Sequence, residues 1–254
     1  MAPSRIVLTE VFPRLYDLIA AVKYPTHPEA YFQHFDERLE ESEHVRSVYI
    51  KVERSLQALD EESWRDLRER AVALTVQRDP TRGWQALFDT LNEAKAFAYL
   101  QGLGCSEVRF IKPGRVKRPD LSALLHGQRV LCEVKTINIS ADEANRRERV
   151  NQGEMIVVSV PTTVKIQMLD KVTDTLTRAI AQLDHEDPTR AARRFIFVVL
   201  HFDDWVGDYQ TEYIAQIDAH LAGNPMLGAE LVFCPASNLF ERRFEMRSAT
   251  IVDM

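Results

Sequence analysis

The chain has 254 residues, 45% of them hydrophobic, which suits one large domain or two smaller domains with a real core. Its net charge of −6 excludes a protein that coats nucleic acid through bulk positive charge. No run approaches the roughly 20 apolar residues of a membrane span, and the N-terminus lacks a signal-peptide pattern. Because Cys105, Cys132 and Cys234 give neither a disulfide framework nor a CxxC zinc signature, we expect a reduced, cytoplasmic protein.

The first 80 residues carry apolar side chains at three- and four-residue spacing, which predicts helices. Asp60, followed by Glu61 and Glu62, is a helix-start signal. We therefore predict a helical N-terminal region over residues 1–82 and an α/β domain over residues 83–254. The N-terminal region is either a helical cap on the core or a module for substrate recognition or dimerisation, and the sequence does not decide between them.

Residues 84–101 are predicted to form a helix that is apolar on two sides. Glu93 falls on a partly apolar flank of this helix, and Asp89 lies one turn earlier on the same face. A buried acid needs a partner, and a metal ion is one such partner. The alternative is an exposed Glu93 that forms an ion pair with Lys95 or Lys117.

Two short apolar runs rich in Val, Ile and Leu, residues 121–125 and 129–137, predict strands. His126 and Gly127 between them suit a two-residue hairpin turn, because glycine readily takes a positive φ. The second run is apolar on both faces, which is typical of a strand in a sheet that is covered on both sides.

The hairpin register predicts where the charged residues fall. If Leu125 pairs with Gln128, Asp120 lies directly opposite Glu133, with Cβ atoms about 4.5–5.5 Å apart. Two carboxylates this close repel each other unless a cation lies between them. Lys135 follows Glu133 by two residues and therefore points to the same face. The pattern indicates a site that holds a divalent metal ion against a phosphate.

Pro119-Asp120, twelve intervening residues and Glu133-x-Lys135 together resemble the motif of the PD-(D/E)xK nuclease superfamily, which has the restriction-endonuclease-like fold. The resemblance implies an α/β core with a mixed sheet flanked by helices. It also implies that Asp120, Glu133 and the backbone carbonyl of Val134 ligate Mg²⁺ or Mn²⁺. Glu93 matches the acid that the superfamily often carries on the preceding helix, where it supports a second metal or positions water.

The function implied by this resemblance is metal-dependent hydrolysis of phosphodiester bonds, in which Lys135 orients the attacking water and stabilises developing negative charge. DNA is favoured over RNA as the substrate because the nucleases that the chain resembles mostly cut DNA. A symmetric homodimer would suit double-strand cleavage, although the sequence leaves the oligomeric state open. No membrane partner is expected.

Five basic residues fall within ten positions just before the hairpin: Arg109, Lys112, Arg115, Lys117 and Arg118. Next to an acidic metal site, such a run suits contact with a phosphate backbone, above all through Arg115, Lys117 and Arg118. The alternative is a solvated loop.

The remaining chain predicts helices over residues 164–183 and 213–221 and strands over residues 195–202 and 229–234. A short strand or buried turn is predicted over residues 155–160. Residues 140–154 are polar and of mixed charge, typical of a solvated loop or of a flap that contacts DNA. The order of elements argues for an α/β fold.

Three other functions stay open. The fold could bind nucleic acid or protein without catalysis, the charged residues could form a structural ion-pair cluster in an interaction protein, or the chain could be a metal hydrolase of another class. None of the seven histidines has zinc-ligand spacing, which disfavours a zinc enzyme. The absence of GxxxxGK[ST] and GxGxxG disfavours an ATP-driven activity.

Overall fold

The computed structural model describes residues 5–22, 30–79, 83–112, 114, 116–140, 142–143, 145–146, 149, 162–203, 209–223, 228–235 and 250–251. Over this part of the chain the protein is α/β, with eight helices, six strands and both antiparallel and parallel strand pairs. The predicted α/β class is therefore confirmed. The chain forms two compact units, one from Met1–Lys112 and Asp120–Gly127, the other from Pro113–Pro119 and Gln128–Asp253.

The first unit is mainly helical. Its described helices are α1 (Arg5–Val11), α2 (Pro13–Ala20), α3 (Phe35–Glu41), α4 (Glu43–Gln57), α5 (Glu61–Leu74) and α6 (Gln85–Gly102). The Asp60 side chain caps α5 by accepting a hydrogen bond from the Ser63 backbone N–H at 2.8 Å, as the sequence predicts. Helix α6 packs against α4 and α5.

A buried acid ties α4 to α2. Glu53 of α4 is 2% exposed, and its carboxylate accepts hydrogen bonds from the backbone N–H groups of Arg14 and Leu15, each at 3.0 Å. These N–H groups lie in the first turn of α2, where no earlier carbonyl of the helix can accept them. Burial raises the pKa of Glu53, and the two backbone hydrogen bonds oppose that rise. Glu53 thus acts as a helix cap supplied from another helix.

The first unit also holds β1 (Ser106–Phe110) and β2 (Leu121–Leu125), which pair antiparallel. Helices α5 and α6 pack against β1. The chain turns after Leu125 through His126 and Gly127, whose φ angles are +50° and +80°. The two-residue turn with positive φ is confirmed, whereas the pairing of Asp120 with Glu133 stays a prediction.

The second unit holds four parallel strands in the order β3 (Gln128–Ile137), β4 (Arg193–Leu200), β5 (Glu230–Pro235) and β6 (Thr250–Ile251). Its helices are α7 (Ile166–Glu186), which packs against β3 and β4, and α8 (Gln210–Gly223). Consecutive residues from Val130 to Val134 in β3 are buried, so both faces of this strand are covered, as predicted. The strand predicted over residues 155–160 lies outside the described residues.

Candidate active site

Glu133 and Lys135 lie on the same side of β3. The Glu133 side chain is 1% exposed and that of Lys135 is 24% exposed, and the Lys135 Nζ donates a hydrogen bond to the Glu133 carboxylate. Side chains two residues apart in a strand point to one face, so this contact confirms that prediction. The strand thus holds a buried negative charge next to a positive charge that reaches toward solvent.

A third residue, Gln182 of α7, fixes the position of the lysine. Lys135 Nζ donates to the Gln182 Oε1 at 2.9 Å, and Gln182 Nε2 donates to the backbone carbonyl of Arg118 at 3.3 Å. Gln182 therefore connects Lys135 to the chain segment before the hairpin. Sequence reasoning missed this residue, because a single amide on the polar face of an amphipathic helix has no distinctive spacing.

In the first unit, Glu93 of α6 forms an ion pair with Arg70 of α5. The Arg70 Nη1 lies 2.7 Å from the Glu93 Oε2, and the Arg70 guanidinium stacks over the ring of Phe110 at 4.9 Å. The sequence suggested Lys95, Lys117 or a metal ion as the partner of Glu93. Asp89, the competing acid on α6, is exposed.

The electrostatics of Glu93 indicate that Asp120 is close by. Burial raises the pKa of Glu93 to about 7; the Arg70 guanidinium acts against this rise, and the negative charge of Asp120 adds to it. Two acids that interact in this way favour a cation between or beside them. Glu93 and Asp120 thus form an acidic pair within the first unit.

We expect the raised pKa of Glu93 to make the stability of the protein depend on pH. An acid whose pKa is higher in the folded state than its usual 4.5 stabilises the fold while it is protonated, and this stabilisation is lost as the pH rises through about 7. In EDTA, the unfolding free energy of Glu93→Gln relative to wild type should therefore increase by about 3 kcal/mol between about pH 4 and pH 8. Urea unfolding across this range measures the difference.

Glu69→Gln is the matched control, because Glu69 is an exposed acid on α5. The control should keep a nearly constant offset from wild type over the same pH range. A constant offset for Glu93→Gln as well would contradict the raised pKa.

Carboxylate oxygens are the ligands that Mg²⁺ and Mn²⁺ prefer in proteins, and the predicted ligands Glu93, Asp120 and Glu133 each carry them. Among the described residues, no three His, Cys, Asp or Glu side chains stand together as a ready metal cluster. Nothing in the structure tests the Val134 carbonyl as a ligand, and that role stays a prediction.

The predicted nucleic-acid contacts fall in different environments. Arg118 forms a bidentate ion pair with Glu186 of α7 at 2.8 and 2.9 Å, and Arg129 binds the same carboxylate at 2.8 Å. Hydrogen bonding from Arg118 is the main reason that the pKa of Glu186 falls to about 2. Lys117 is exposed and lines a cavity, whereas Arg115 lies outside the described residues.

This cavity in the second unit has a volume of about 680 Å³ and opens to solvent. Its lining includes four basic side chains: Lys117, Lys135, Lys171 and Arg178. Among the described residues that line it, none is acidic. The cavity is therefore a space that attracts anions, and Lys135 is one of its lining residues. We call it the basic cavity.

Comparisons with protein-family models, with curated proteins and with solved structures find no match to this chain. None of the helices in the described part of the chain combines the length and the apolar composition that a membrane span requires.

Proposed function

We propose that the chain is a metal-dependent nuclease with a restriction-endonuclease-like core. It hydrolyses phosphodiester bonds in nucleic acid, with DNA favoured over RNA as the substrate. The observation that carries this proposal is the buried Glu133 in contact with Lys135, which is one of the residues that line the basic cavity. Burying a charged pair in the core of a sheet costs desolvation free energy, which a merely structural role does not require. A symmetric homodimer stays a prediction.

The acids have the role of holding the metal ion. Asp120 and Glu133 would ligate Mg²⁺ or Mn²⁺ with the Val134 carbonyl, and Glu93 would support this site or position water. When bound, the ion polarises the phosphate and lowers the pKa of a coordinated water. The acidic pair of Glu93 and Asp120 supports this assignment, because the charge of Asp120 adds to the pKa rise that burial causes in Glu93, and a cation would relieve their repulsion.

Lys135 has the role of stabilising charge on the reacting phosphate. The Lys135 Nζ donates one hydrogen bond to the Glu133 carboxylate and another to the Gln182 Oε1 at 2.9 Å. A positive charge that is already in position stabilises the negative charge of the transition state without reorganisation during the reaction. The same ammonium group can hold a water molecule beside the phosphate through a hydrogen bond.

A cleavage assay tests the proposal. Wild type and Asp120→Asn are each incubated with plasmid DNA, single-stranded DNA and RNA in Mg²⁺, Mn²⁺ or EDTA. Asp170→Asn, at an exposed acid of α7, is the control. We expect wild type and the control to cleave nucleic acid. Cleavage should stop when EDTA is added, and it should be absent in Asp120→Asn. If the protein binds nucleic acid but cleaves it under none of these conditions, the result would instead support a catalytically inactive nuclease fold.

We expect Gln182→Ala to slow cleavage about 10- to 100-fold, because Lys135 Nζ loses the group that fixes its position and small misplacements at a reacting centre are costly. The change should appear in kcat, with little effect on KM. Steady-state kinetics on a labelled oligonucleotide measures both parameters.

Gln167→Ala serves as the control for this variant, since Gln167 is an exposed amide in the first turn of the same helix. A kcat for Gln182→Ala equal to that of the control would show that Gln182 does not position the lysine.

A further inference from the structure

Helix α7 presents a row of polar and basic side chains to the basic cavity. They recur at spacings of three or four residues, which places them on one side of the helix: Lys171, Thr175, Arg178, Gln182 and His185. We call this row the α7 stripe. From the first member to the last it spans about 21 Å, at a rise of 1.5 Å per residue.

The α7 stripe faces positive charge from two other chain segments. Lys117 and Lys135 line the same cavity, and the Lys171 Nζ is held beside the end of β3 by a 2.9 Å hydrogen bond to the Asn138 carbonyl. Basic side chains from three chain segments therefore line the cavity, and salt screens the exposed ones most strongly.

The acids near the C-terminal end of α7 do not cancel this charge. Glu186 binds Arg118 and Arg129, while Asp184 accepts hydrogen bonds from Arg190 at 3.0 Å. Hydrogen bonds from Arg190 and from a second arginine lower the pKa of Asp184. These acids are neutralised by arginines that do not line the cavity.

We propose that the α7 stripe binds the phosphodiester backbone of one nucleic-acid strand and leads it past Lys135. Lys171 and Arg178 are exposed and would neutralise phosphates without reading the base sequence, whereas Gln182 is engaged by Lys135 and by the Arg118 carbonyl. A strand carries one phosphate per roughly 3.4 Å of duplex axis, so a stripe of this length follows several consecutive phosphates. A small anion would use only a fraction of it. The proposal rests on the proposed nuclease function only for the reaction at Lys135.

Binding in EDTA tests the stripe without cleavage. The probe is a fluorescent single-stranded oligonucleotide of about 20 nucleotides, titrated with wild type, with Lys171→Gln/Arg178→Gln and with Arg54→Gln/Arg65→Gln. All four positions are exposed helix residues, and only the first pair lines the cavity. We expect the first double variant to bind the oligonucleotide at least about 10-fold more weakly than wild type. The slope of log K against the logarithm of the salt concentration should become shallower by about 1.4, at about 0.7 for each lost phosphate contact. The control should change binding less than about twofold.

Two further binding experiments identify the ligand. Affinity should rise with oligonucleotide length up to several nucleotides, and millimolar inorganic phosphate should compete poorly. Affinity that is independent of length, or full competition by phosphate, would replace the strand with a single-anion site and overturn the proposal. Equal binding by the two double variants would overturn it as well.

The two proposals can fail separately. If wild type cleaves but the stripe variant binds and cleaves like the control, the α7 stripe is wrong and the nuclease stands. If wild type binds through the stripe but no condition gives cleavage, the nuclease is wrong and the binding site stands.

Discussion

Lys135→Met is expected to abolish cleavage, with a loss of roughly 1000-fold in kcat, while the protein stays folded and still binds a divalent cation. Methionine fills a similar volume without the positive charge, and a single preorganised group at the reacting phosphate contributes about this much to the rate. Lys135 is only 24% exposed and is held by Glu133 and Gln182, so water cannot easily replace its ammonium group at the same position. Single-turnover cleavage measures the loss.

Lys95→Met is the control for this prediction, because Lys95 is a partly exposed lysine on α6 that does not line the basic cavity. It should cleave as fast as wild type. Thermal unfolding with and without Mn²⁺ should show that Lys135→Met is folded and is still stabilised by the ion. Cleavage by Lys135→Met at the wild-type rate would remove Lys135 from the reaction.

Glu53→Ala is expected to lower the unfolding free energy by about 4 kcal/mol. The substitution leaves the backbone N–H groups of Arg14 and Leu15 without the carboxylate that accepts both of them, and each such buried donor costs about 1–3 kcal/mol. It also removes a side chain of α4 that is almost completely buried where α4 packs against α2. Urea unfolding monitored by circular dichroism measures the change.

Two companion variants test whether the loss of stability comes from the hydrogen bonds of the Glu53 carboxylate. Glu53→Gln retains one carbonyl oxygen and should cost about half as much, because one of the two N–H groups keeps an acceptor. Arg54→Ala changes the adjacent, exposed residue of α4 and should cost less than about 0.5 kcal/mol. A loss in Glu53→Ala no larger than in Arg54→Ala would show that the cap contributes nothing to stability.

The local part of the fold could be predicted from the sequence because it depends on neighbouring residues. The turn at His126 and Gly127 needed only a residue that tolerates positive φ, and β3 needed only an apolar run long enough to be buried on both faces. The contact of Lys135 with Glu133 follows from strand alternation alone. The helical N-terminal residues followed from the period of their apolar positions.

The partners that lie far apart in the sequence could not be predicted. Gln182 reaches Lys135 across 47 positions, and Arg70 reaches Glu93 across 23 positions, with no spacing pattern in either case. Arg118 belonged to a basic run, and only the structure shows that Glu186 neutralises it. Such pairs depend on how helices pack onto the strands, which a single sequence does not specify at the level of individual side chains.

The central proposal is that Asp120 and Glu133 hold the same divalent ion, and a calorimetric titration of Mn²⁺ tests it most directly. Wild type, Asp120→Asn, Glu133→Gln and the double variant are each titrated. We predict that each single variant binds Mn²⁺ at least about 10-fold more weakly than wild type and that the free-energy loss of the double variant is smaller than the sum of the two single losses, since both residues ligate one ion. Binding by both single variants that equals wild type, or losses that simply add, would contradict the shared metal site.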